Sequence, residues 1–457
     1  MSIESLIIVV FCLGYISIAI EHQISINKTA SALITGVLCW TLFIVFDPSE
    51  RVLASEAFGN FLAHFEPAEG SQPSPDEIFH AFVISELSHH LATISEILFF
   101  LLGAMTIVEL IDAHHGFTTI TDRIRTKDPK VLLWIICWVT FFLSAILDNL
   151  TTTIVMVSLI RKLIPDHRLR LFFAGMIIIS ANAGGAWTPI GDVTTTMLWI
   201  GGQITSYNIM KTIFLPSVVC MLAPLLYLTF TLKPGDLGAE RLGASPERGV
   251  PGGRPILFFG LAVLISVPFF KTFTHLPPYI GMLGGVGVLW VISEFIHPEL
   301  DDAVKKRYTV AGALSRVDVP SVLFFLGILL AVGVLQSMQT LNYFSGLLSD
   351  TFGDNRIIIT LIGLLSAVVD NVPLVAASMA MYSMEVYPTD DMIWEYLAYC
   401  AGTGGSILVI GSAAGVAAMG MEKIDFIWYF KNISFIALIG YLFGAATYLL
   451  LQPLIMH

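Results

Sequence analysis

The sequence predicts an all-α polytopic membrane protein that contains two repeats of opposite orientation. Of its 457 residues, 56% are hydrophobic and only 13% are charged, about half the charged fraction of an average soluble domain. About ten apolar stretches are long enough to cross a bilayer core roughly 30 Å thick. Short motifs also recur at nearly constant separation, which indicates a duplicated architecture.

The predicted crossings follow the apolar runs along the chain. They lie near residues 4–20, 30–46, 93–112, 168–200, 212–232, 256–270, 279–296, 320–337, 394–420 and 426–451. Two further apolar stretches, 131–160 and 357–381, are interrupted midway by Asp148-Asn149 and Asp370-Asn371. Each of these stretches fits either one long helix or a re-entrant hairpin.

Three paired blocks define the internal repeat. The two members of each pair keep the same order and nearly the same separation along both halves of the chain. The pairs are 99–103 with 324–327, 143–149 with 365–371, and 183–191 with 403–411. We therefore predict a first repeat over 1–232, a linker over 233–255 and a second repeat over 256–457.

The distribution of basic residues distinguishes a hairpin from a full crossing. If both interrupted stretches are hairpins, each half crosses five times, so the second half is inverted relative to the first. Of the 23 Lys and Arg residues, 19 then fall on one side, which the positive-inside rule makes cytoplasmic. The exceptions are Arg51, Lys211, Lys271 and Arg356. This topology places both termini and the acidic 47–90 loop outside, and the linker inside.

Asp148 and Asp370 are the first candidates for a functional site. A charged carboxylate near the bilayer centre costs about 2.5–3.5 kcal/mol, and neither residue has a Lys or Arg within its own apolar stretch. A bound cation or a proton would supply the missing charge. The alternative is that each Asp only caps the turn of its hairpin.

Neighbouring polar residues add neutral oxygen ligands, which small hard cations prefer. Asn149 and Asn371 follow the two Asp residues directly, and their amide oxygens are uncharged acceptors. Hydroxyl groups surround both tips, although each of them could equally bond to its own helix. They belong to Ser144, Thr151, Thr152 and Thr153 in the first half and to Ser366 in the second.

Two crossings, 168–200 and 394–420, carry glycines that predict a break at mid-membrane. Irregular backbone at that depth is tolerated where it lines a cavity, and its free carbonyl groups can bind a cation. The candidate residues are Ser180, Asn182, Thr188, Gly191 and Asp192 in the first break, and Thr403, Ser406 and Ser412 in the second. Because Ser412 stands where the first half has Asp192, we predict two unequal sites.

The Asp-Asn motifs, followed by Thr188-Pro189-Ile190-Gly191-Asp192, resemble those of the NhaD sodium/proton antiporters of the ion transporter superfamily. The resemblance extends from about residue 5 to 450. It implies a bacterial inner-membrane homodimer that exchanges Na⁺, and often Li⁺, for H⁺ without a cofactor. It also implies that Asp148, Asn149, Asp192, Asp370 and Asn371 bind the cation and the proton. A carboxylate that loses its proton when Na⁺ arrives would couple the two ions.

Two alternatives remain. A carrier of the same fold could take a dicarboxylate or arsenite, although the related dicarboxylate carriers have Ser-Asn-Thr where this chain has acids. An intramembrane aspartyl protease is more remote, because Pro189-Ile190-Gly191-Asp192 lacks the first Gly of the Gly-x-Gly-Asp motif. The net charge of -12 argues against a nucleic-acid partner.

Overall fold

The computed structural model describes residues 3–45, 49–66, 73–121, 124, 126, 128–231, 252–296 and 306–455. Within these ranges the ordered elements are helices, and no β-strand occurs. Most of the predicted linker 233–255 lies outside the described residues. The all-α prediction is therefore confirmed for the part of the chain that can be described.

The helices of the N-terminal part include one of exceptional length, Pro75–Ala113. In chain order the helices are α1 (Ile3–Ala19), α2 (Glu21–Ile24), α3 (Lys28–Val45), α4 (Glu50–Leu53), α5 (Glu56–His64), α6 (Pro75–Ala113) and α7 (Thr118–Thr121).

The middle of the chain contains the first hairpin, the first broken crossing and three long apolar helices. These helices are α8 (Pro129–Ser144), α9 (Asn149–Leu163), α10 (His167–Gly185), α11 (Val193–Ile200), α12 (Ser206–Thr231), α13 (Gly253–Thr274), α14 (Pro278–Ile296) and α15 (Val310–Leu314), the last preceded by a 3₁₀ turn, Lys306–Tyr308.

The C-terminal part repeats this order of hairpin and broken crossing. Its helices are α16 (Val319–Ser337), α17 (Thr340–Phe352), α18 (Asn355–Leu365), α19 (Asn371–Met381), α20 (Met392–Gly404), α21 (Ala413–Glu422), α22 (Phe426–Tyr429) and α23 (Phe435–Ile455), with a π-helical segment, Phe430–Ser434, between the last two.

Seven of the described helices are long and apolar enough to cross a bilayer. They are α3, α6, α12, α13, α14, α16 and the continuous segment from α22 to α23. The other three predicted crossings coincide with α1, which has only 17 residues, and with the two broken helices. The chain is thus a multi-pass membrane protein, while the number of ten crossings stays a prediction.

The chain forms two compact units, and each takes residues from both halves of the sequence. The first unit contains Met1–Leu98, Asp318–Ile358 and Val375–Tyr387, and the second contains the remainder. Inside the first unit α3 packs along α16, where the indole nitrogen of Trp40 donates a hydrogen bond to the Leu330 carbonyl at 3.0 Å. The second unit contains both hairpin turns and both helix breaks.

The predicted loop 47–90 is partly wrong, because residues from Pro75 onward already belong to α6. Polar residues lower the hydropathy of this part of the helix and hide its helical character. Two of them are bonded within the first unit. Ser337 Oγ donates to Glu86 Oε2 at 2.8 Å, and His90 Nε2 lies 3.1 Å from the same hydroxyl. Such bonds allow polar side chains to pack between helices.

Candidate functional site

The first hairpin turns at the predicted Asp-Asn pair. Helix α8 ends at Ser144, and α9 begins at Asn149 with Asp148 as its N-cap. The Asp148 carboxylate accepts from the Thr151 backbone N–H at 2.7 Å and from the Thr151 hydroxyl at 2.8 Å. These bonds satisfy the free N–H groups of the helix end, so the structural role of Asp148 as a cap is real.

The second hairpin repeats this arrangement around Asp370. Helix α18 ends at Leu365, and α19 begins at Asn371. Asp370 Oδ1 accepts from the Val372 backbone N–H at 3.2 Å. Both interrupted stretches are therefore pairs of helices joined by a short turn, although their re-entrance into the membrane stays a prediction.

The first broken crossing is interrupted over 186–192, between α10 and α11. Asp192 is the N-cap of α11, and its side chain is buried, with 2% of the residue exposed. Its Oδ1 accepts from the Thr194 backbone N–H at 2.8 Å and from the Thr194 hydroxyl at 2.7 Å. The positive end of the α11 dipole is thus directed at a buried carboxylate.

The second broken crossing is interrupted over 405–412, between α20 and α21. Ser412 is the N-cap of α21 and accepts from the Gly415 backbone N–H at 3.2 Å. It therefore occupies the same structural position as Asp192, with a neutral hydroxyl in place of the acid. The predicted difference between the two halves, Asp192 in one and Ser412 in the other, therefore lies at two equivalent helix caps.

Both hairpin tips meet at Asp192. The Asn149 amide donates to Asp192 Oδ2 at 2.5 Å, and the Asn371 amide lies 3.4 and 3.5 Å from the two carboxylate oxygens. Asn149 also donates to the side-chain oxygen of Asn182 at 3.2 Å. The two predicted sites therefore share one carboxylate instead of lying apart.

Asn182 connects this group to the second broken crossing. Its amide nitrogen donates to the Ser412 hydroxyl at 3.0 Å, while its oxygen accepts from Asn149. Asn182 lies in α10 and is fully buried. One hydrogen-bonded network thus links both tips and both breaks.

The three acids of the site lie close enough to interact electrostatically. Asp192 interacts with both Asp148 and Asp370, so their negative charges oppose one another in a buried region. Within the described residues, no group of three or more His, Cys, Asp or Glu side chains has the arrangement of a metal centre. A cation at this site would be held by few carboxylates and by neutral oxygens of the Asn and hydroxyl groups.

A matched pair of hydrogen bonds joins each hairpin to its broken helix. Ser144 Oγ donates to the Ala181 carbonyl at 2.7 Å, and Ser366 Oγ donates to the Ala401 carbonyl at 2.8 Å. The two donors occupy equivalent positions of the sequence repeat. These serines are buried and act on backbone carbonyls of the broken helices.

Two glycines allow the same close approach in both halves. A side chain at Gly184 would collide with the backbone of Phe141, and one at Gly404 would collide with the backbone of Gly363. Since both neighbours belong to the first arm of a hairpin, only glycine permits this contact. The same close approach therefore occurs at equivalent positions of the predicted repeat, and the repeat and its inverted orientation stay predictions.

Three of the predicted hydroxyl ligands have other roles. Thr403 donates to the Tyr399 carbonyl at 2.6 Å, and Ser406 donates to the Thr403 carbonyl at 2.7 Å. Both bonds lie at the end of α20. For this pair of residues the hydroxyl therefore bonds to the backbone of its own helix, the alternative to cation binding. Thr188 instead donates to the Ala145 carbonyl at 2.6 Å, which fixes the first break to the first hairpin.

The remaining predicted residues are buried around the same network. Ser180 lies beside the Cys137 thiol, and Gly191 approaches the Ser144 carbonyl closely. The hydroxyl of Thr152 has no hydrogen-bond partner among the described residues, and Thr153 has none there either. Both residues are fully buried.

The structure adds a buried acid that the sequence analysis did not identify, Glu422 at the end of α21. Its carboxylate accepts from Arg161 Nε at 2.7 Å and from Arg170 Nε at 3.1 Å. His167 Nε2 lies 3.1 Å from the Glu422 carbonyl oxygen. This ion cluster joins α9, α10 and α21. The sequence could not reveal it, because Glu422 lies in the other half of the chain from its basic partners.

A second missed acid, Glu395, lies in the first turn of α20 and is only 2% exposed. Like Asp148, it is an acid inside an apolar stretch that contains no Lys or Arg, which is the pattern that made Asp148 a candidate. The signal was therefore present in the sequence.

Lys271 of α13 contacts the far end of α11. Its ammonium group donates to the Trp199 carbonyl at 2.5 Å and lies 4.7 Å from the centre of the Trp199 rings. A cation near the last carbonyl groups of a helix is favourable because it offsets the negative end of the dipole. Helix α11 therefore has an acid at its N-cap and a base at its last turn.

Comparisons with known proteins agree with this architecture. The citrate transporter family, CitMHS, matches residues 15–397. Sodium/proton antiporter 1 of Arabidopsis thaliana is 46% identical over 97% of this chain and 72% of its own length. Sodium/proton antiporter 2 of the same plant is 42% identical over 96% and 97% of the two chains.

More distant relatives come from bacteria. The Na⁺/H⁺ antiporter NhaD of Vibrio cholerae is 28% identical over 97% of this chain and 91% of its own length. Among solved structures, the YdaH transporter of Alcanivorax borkumensis matches with a TM-score of 0.53 at 12% identity, and the match covers 92% of this chain and 98% of that one. That last likeness is one of fold.

Proposed function

We propose a function from the premise that this chain belongs to the citrate transporter family and to the family of the two plant sodium/proton antiporters. It exchanges Na⁺ for H⁺ across a membrane as a secondary active transporter. The relatives matched over nearly the whole chain are named as antiporters of these two ions. They are transporters and not enzymes, so the aspartyl protease alternative has no support.

The observation that carries this proposal is the meeting of both hairpin tips at Asp192. Its carboxylate receives the Asn149 amide from one tip and the Asn371 amide from the other. A buried carboxylate suits a small hard cation, for which the two neighbouring amide groups can supply oxygen ligands once their N–H bonds to Asp192 are released. An anionic cargo would instead need a neutral or basic site.

Exchange follows from competition for the same carboxylates. We infer that Na⁺ binds between Asp192 and the tips, with Asp148 and Asp370 supplying the adjacent charge. Three acids in one buried region repel one another, so they are stable only when a cation or a proton neutralises part of the charge. Arrival of Na⁺ therefore favours release of H⁺, and arrival of H⁺ favours release of Na⁺.

The site residues assigned from the sequence keep distinct roles in this proposal. Asp192, Asn149 and Asn371 contact the ion. Asp148 and Asp370 hold the helix caps and share the proton. The supporting groups surround these five residues, and they are Ser144, Thr151, Thr152, Ser180, Asn182, Thr188, Gly191, Ser366, Thr403, Ser406 and Ser412.

Four further features are proposed on the strength of the sequence. Li⁺ would enter the same oxygen-lined site, because it carries the same charge in a smaller radius. Both chain ends would lie on the outer side, as the distribution of basic residues indicates. The homodimer and the bacterial inner membrane follow from the resemblance to NhaD antiporters.

The proposal can be tested in everted vesicles loaded with a fluorescent pH indicator. Addition of Na⁺ or Li⁺ should move protons with the wild type. Asp192→Asn should abolish this response while the protein still inserts. Asp166→Asn is the matched control, because Asp166 is an exposed N-cap at the other end of α10.

Full activity of Asp192→Asn would contradict the proposed site. The citrate or dicarboxylate alternative is separated by a second assay in proteoliposomes. The exchange of Na⁺ for H⁺ would be overturned by Na⁺-driven uptake of citrate or succinate, if Na⁺ moves no protons when the carboxylate is left out.

A further inference from the structure

Glu395 is a buried acid outside the site described above. It lies in the first turn of α20, shortly after the N-cap Asp391 of that helix. Only 2% of the residue is exposed, and its neighbours in sequence, Trp394 and Tyr396, are fully buried. A carboxylate in such a position is costly unless its charge is stabilised or removed.

Two side chains from other helices donate hydrogen bonds to this carboxylate. The Asn208 amide of α12 donates to Glu395 Oε1, and the Tyr448 hydroxyl of α23 donates to Oε2 at 2.7 Å. The Thr212 hydroxyl, one turn after Asn208, lies beside the same group. Glu395 therefore joins α20 to two long helices through its two oxygen atoms.

The described part of the chain places no ion-pair partner beside this carboxylate. Among the described residues, no Lys, Arg or His forms an ion pair with Glu395. Asp390, in the segment that precedes the helix, is a further acid that interacts with it. Both hydrogen-bond donors are neutral, so they stabilise the charge only partly.

Helix α18 contacts α20 through the hydrogen bond between Thr360 and Tyr396, and its ionisable side chain is Arg356 in the first turn. Helix α11 has none, and those of α10 are confined to its first turn. On α12 the only base is Lys211, whose side chain is exposed. The other ionisable groups of α12, α20 and α23 are Tyr207, Cys220, Tyr227, Tyr396, Tyr399, Cys400, Tyr441 and Tyr448.

We infer that Glu395 is a second proton-binding site of this transporter, separate from the cation site, and that its protonation changes how α20 packs against α12 and α23. Deprotonated, it accepts from both Asn208 and Tyr448. Protonated, one oxygen carries hydrogen and becomes a donor, so one of these bonds is weakened. The proton thus alters the attachment of the helix that leads into the second break.

The position of Glu395 explains how this proton could affect transport, a consequence that rests on the proposed function. The helix continues from Glu395 to Gly404, where α20 ends, over a length of roughly 14 Å at the usual helical rise. A helix transmits a displacement at one end to the other. Binding of H⁺ at Glu395 would therefore shift the pH range of exchange without taking part in cation binding.

Infrared difference spectroscopy of the purified protein tests the inference directly. A protonated buried carboxylic acid gives a carbonyl band that appears and disappears as the pH is changed. The three acids of the cation site also give such bands, so the inference rests on the difference between the two proteins. We expect the wild type to show one pH-dependent band more than Glu395→Gln, and identical sets of bands in the two proteins would overturn the inference.

A second variant keeps the test decisive if Glu395→Gln does not fold. Tyr448→Phe removes one donor to the carboxylate, so the midpoint of the infrared titration should move to higher pH by about one unit. Tyr227→Phe is the matched control, because Tyr227 lies on α12 and is 54% exposed. A midpoint in Tyr448→Phe equal to that of the control would contradict the inference.

The antiport assay separates this inference from the proposed function. Glu395→Gln should retain Na⁺-dependent proton movement but with a pH profile displaced by about one unit, the shift that one lost hydrogen bond corresponds to. A wild-type profile in Glu395→Gln, together with inactive Asp192→Asn, would refute the regulatory consequence alone. If the wild type exchanges no ions, the infrared band still decides whether Glu395 binds a proton.

Discussion

At the scale of single residues, the three acids of the site are not equivalent. Asp148 and Asp370 accept hydrogen bonds from the first turns of the helices that follow them, while Asp192 receives side chains from both hairpins. The sequence could identify all three acids, because each one stands in an apolar region. It could not rank them, since the contact of Asn371 with Asp192 joins distant parts of the chain.

The two asparagines of the tips should differ in importance. Asn149 lies 2.5 Å from Asp192, whereas Asn371 lies 3.4 Å away. We expect Asn149→Ala to raise the Na⁺ concentration for half-maximal exchange about tenfold, the equivalent of about 1.4 kcal/mol, and Asn371→Ala to raise it less. Asn342→Ala, at an exposed position in the other unit, should leave it unchanged.

Equal effects of the two tip variants would contradict this ranking. The measurement is the same fluorescent assay in everted vesicles, performed as a Na⁺ titration at fixed pH. Expression and insertion are compared by immunoblotting, so that loss of protein is not mistaken for loss of affinity.

At the scale of helices, the hairpins and the broken crossings form matched pairs. The sequence predicted their order and their breaks closely, because glycines and Asp-Asn pairs interrupt apolar runs at those positions. It did not predict how they are joined. That depends on single hydroxyl groups, Ser144 and Ser366, whose acceptors are carbonyl groups that any residue could supply.

Removal of either hydroxyl should destabilise the protein to a similar extent. We expect Ser144→Ala and Ser366→Ala each to lower the free energy of unfolding by about 1 kcal/mol, since a buried carbonyl loses its donor. Ser88→Ala is the control, because Ser88 is exposed and bonds only to its own helix. Thermal unfolding in detergent would measure the differences, and a loss in the control as large as in the other two would contradict the prediction.

The Glu422 cluster should contribute more to the free energy of unfolding than the Ser144 or Ser366 hydroxyl does. Glu422→Gln removes the charge that two arginines share, and charged hydrogen bonds contribute about 1.5–3 kcal/mol each. Arg170→Ala should destabilise more than Arg161→Ala, because the Arg170 side chain is 18% exposed and the Arg161 side chain 47%. Glu385→Gln, on an exposed residue, serves as the control in the same unfolding measurement.

An unfolding temperature of Glu422→Gln equal to that of the control would show that the cluster is not structural. The reverse order of the two arginine variants would indicate that exposure does not govern their contribution.

At the scale of the whole molecule, the sequence predicted the helical class and most helix positions. The long apolar runs made this possible, because membrane crossings require them. The start of α6 was predicted as a loop because it is polar. Glu86 and His90 are tolerated in this helix because both hydrogen bond to Ser337, which is distant in the sequence. The grouping of helices into two units could not be predicted, because each unit combines distant parts of the chain.

The topology itself can be tested by cysteine labelling. In a background without the five native cysteines, Lys130→Cys and Lys162→Cys should react from the cytoplasmic side, since they flank a hairpin. Lys211→Cys should react only from the other side. Labelling of Lys130→Cys and Lys162→Cys from opposite sides would show that the stretch 131–160 crosses the membrane completely.

The contact between Lys271 and the last turn of α11 limits how this short helix can move. A helix of little more than two turns, with the buried Asp192 carboxylate as its N-cap, is tethered at its other end to a separate long helix. Any tilt or translation of α11 during the transport cycle must either carry α13 with it or break this tether. The freedom of α11 to move is therefore limited by one lysine side chain.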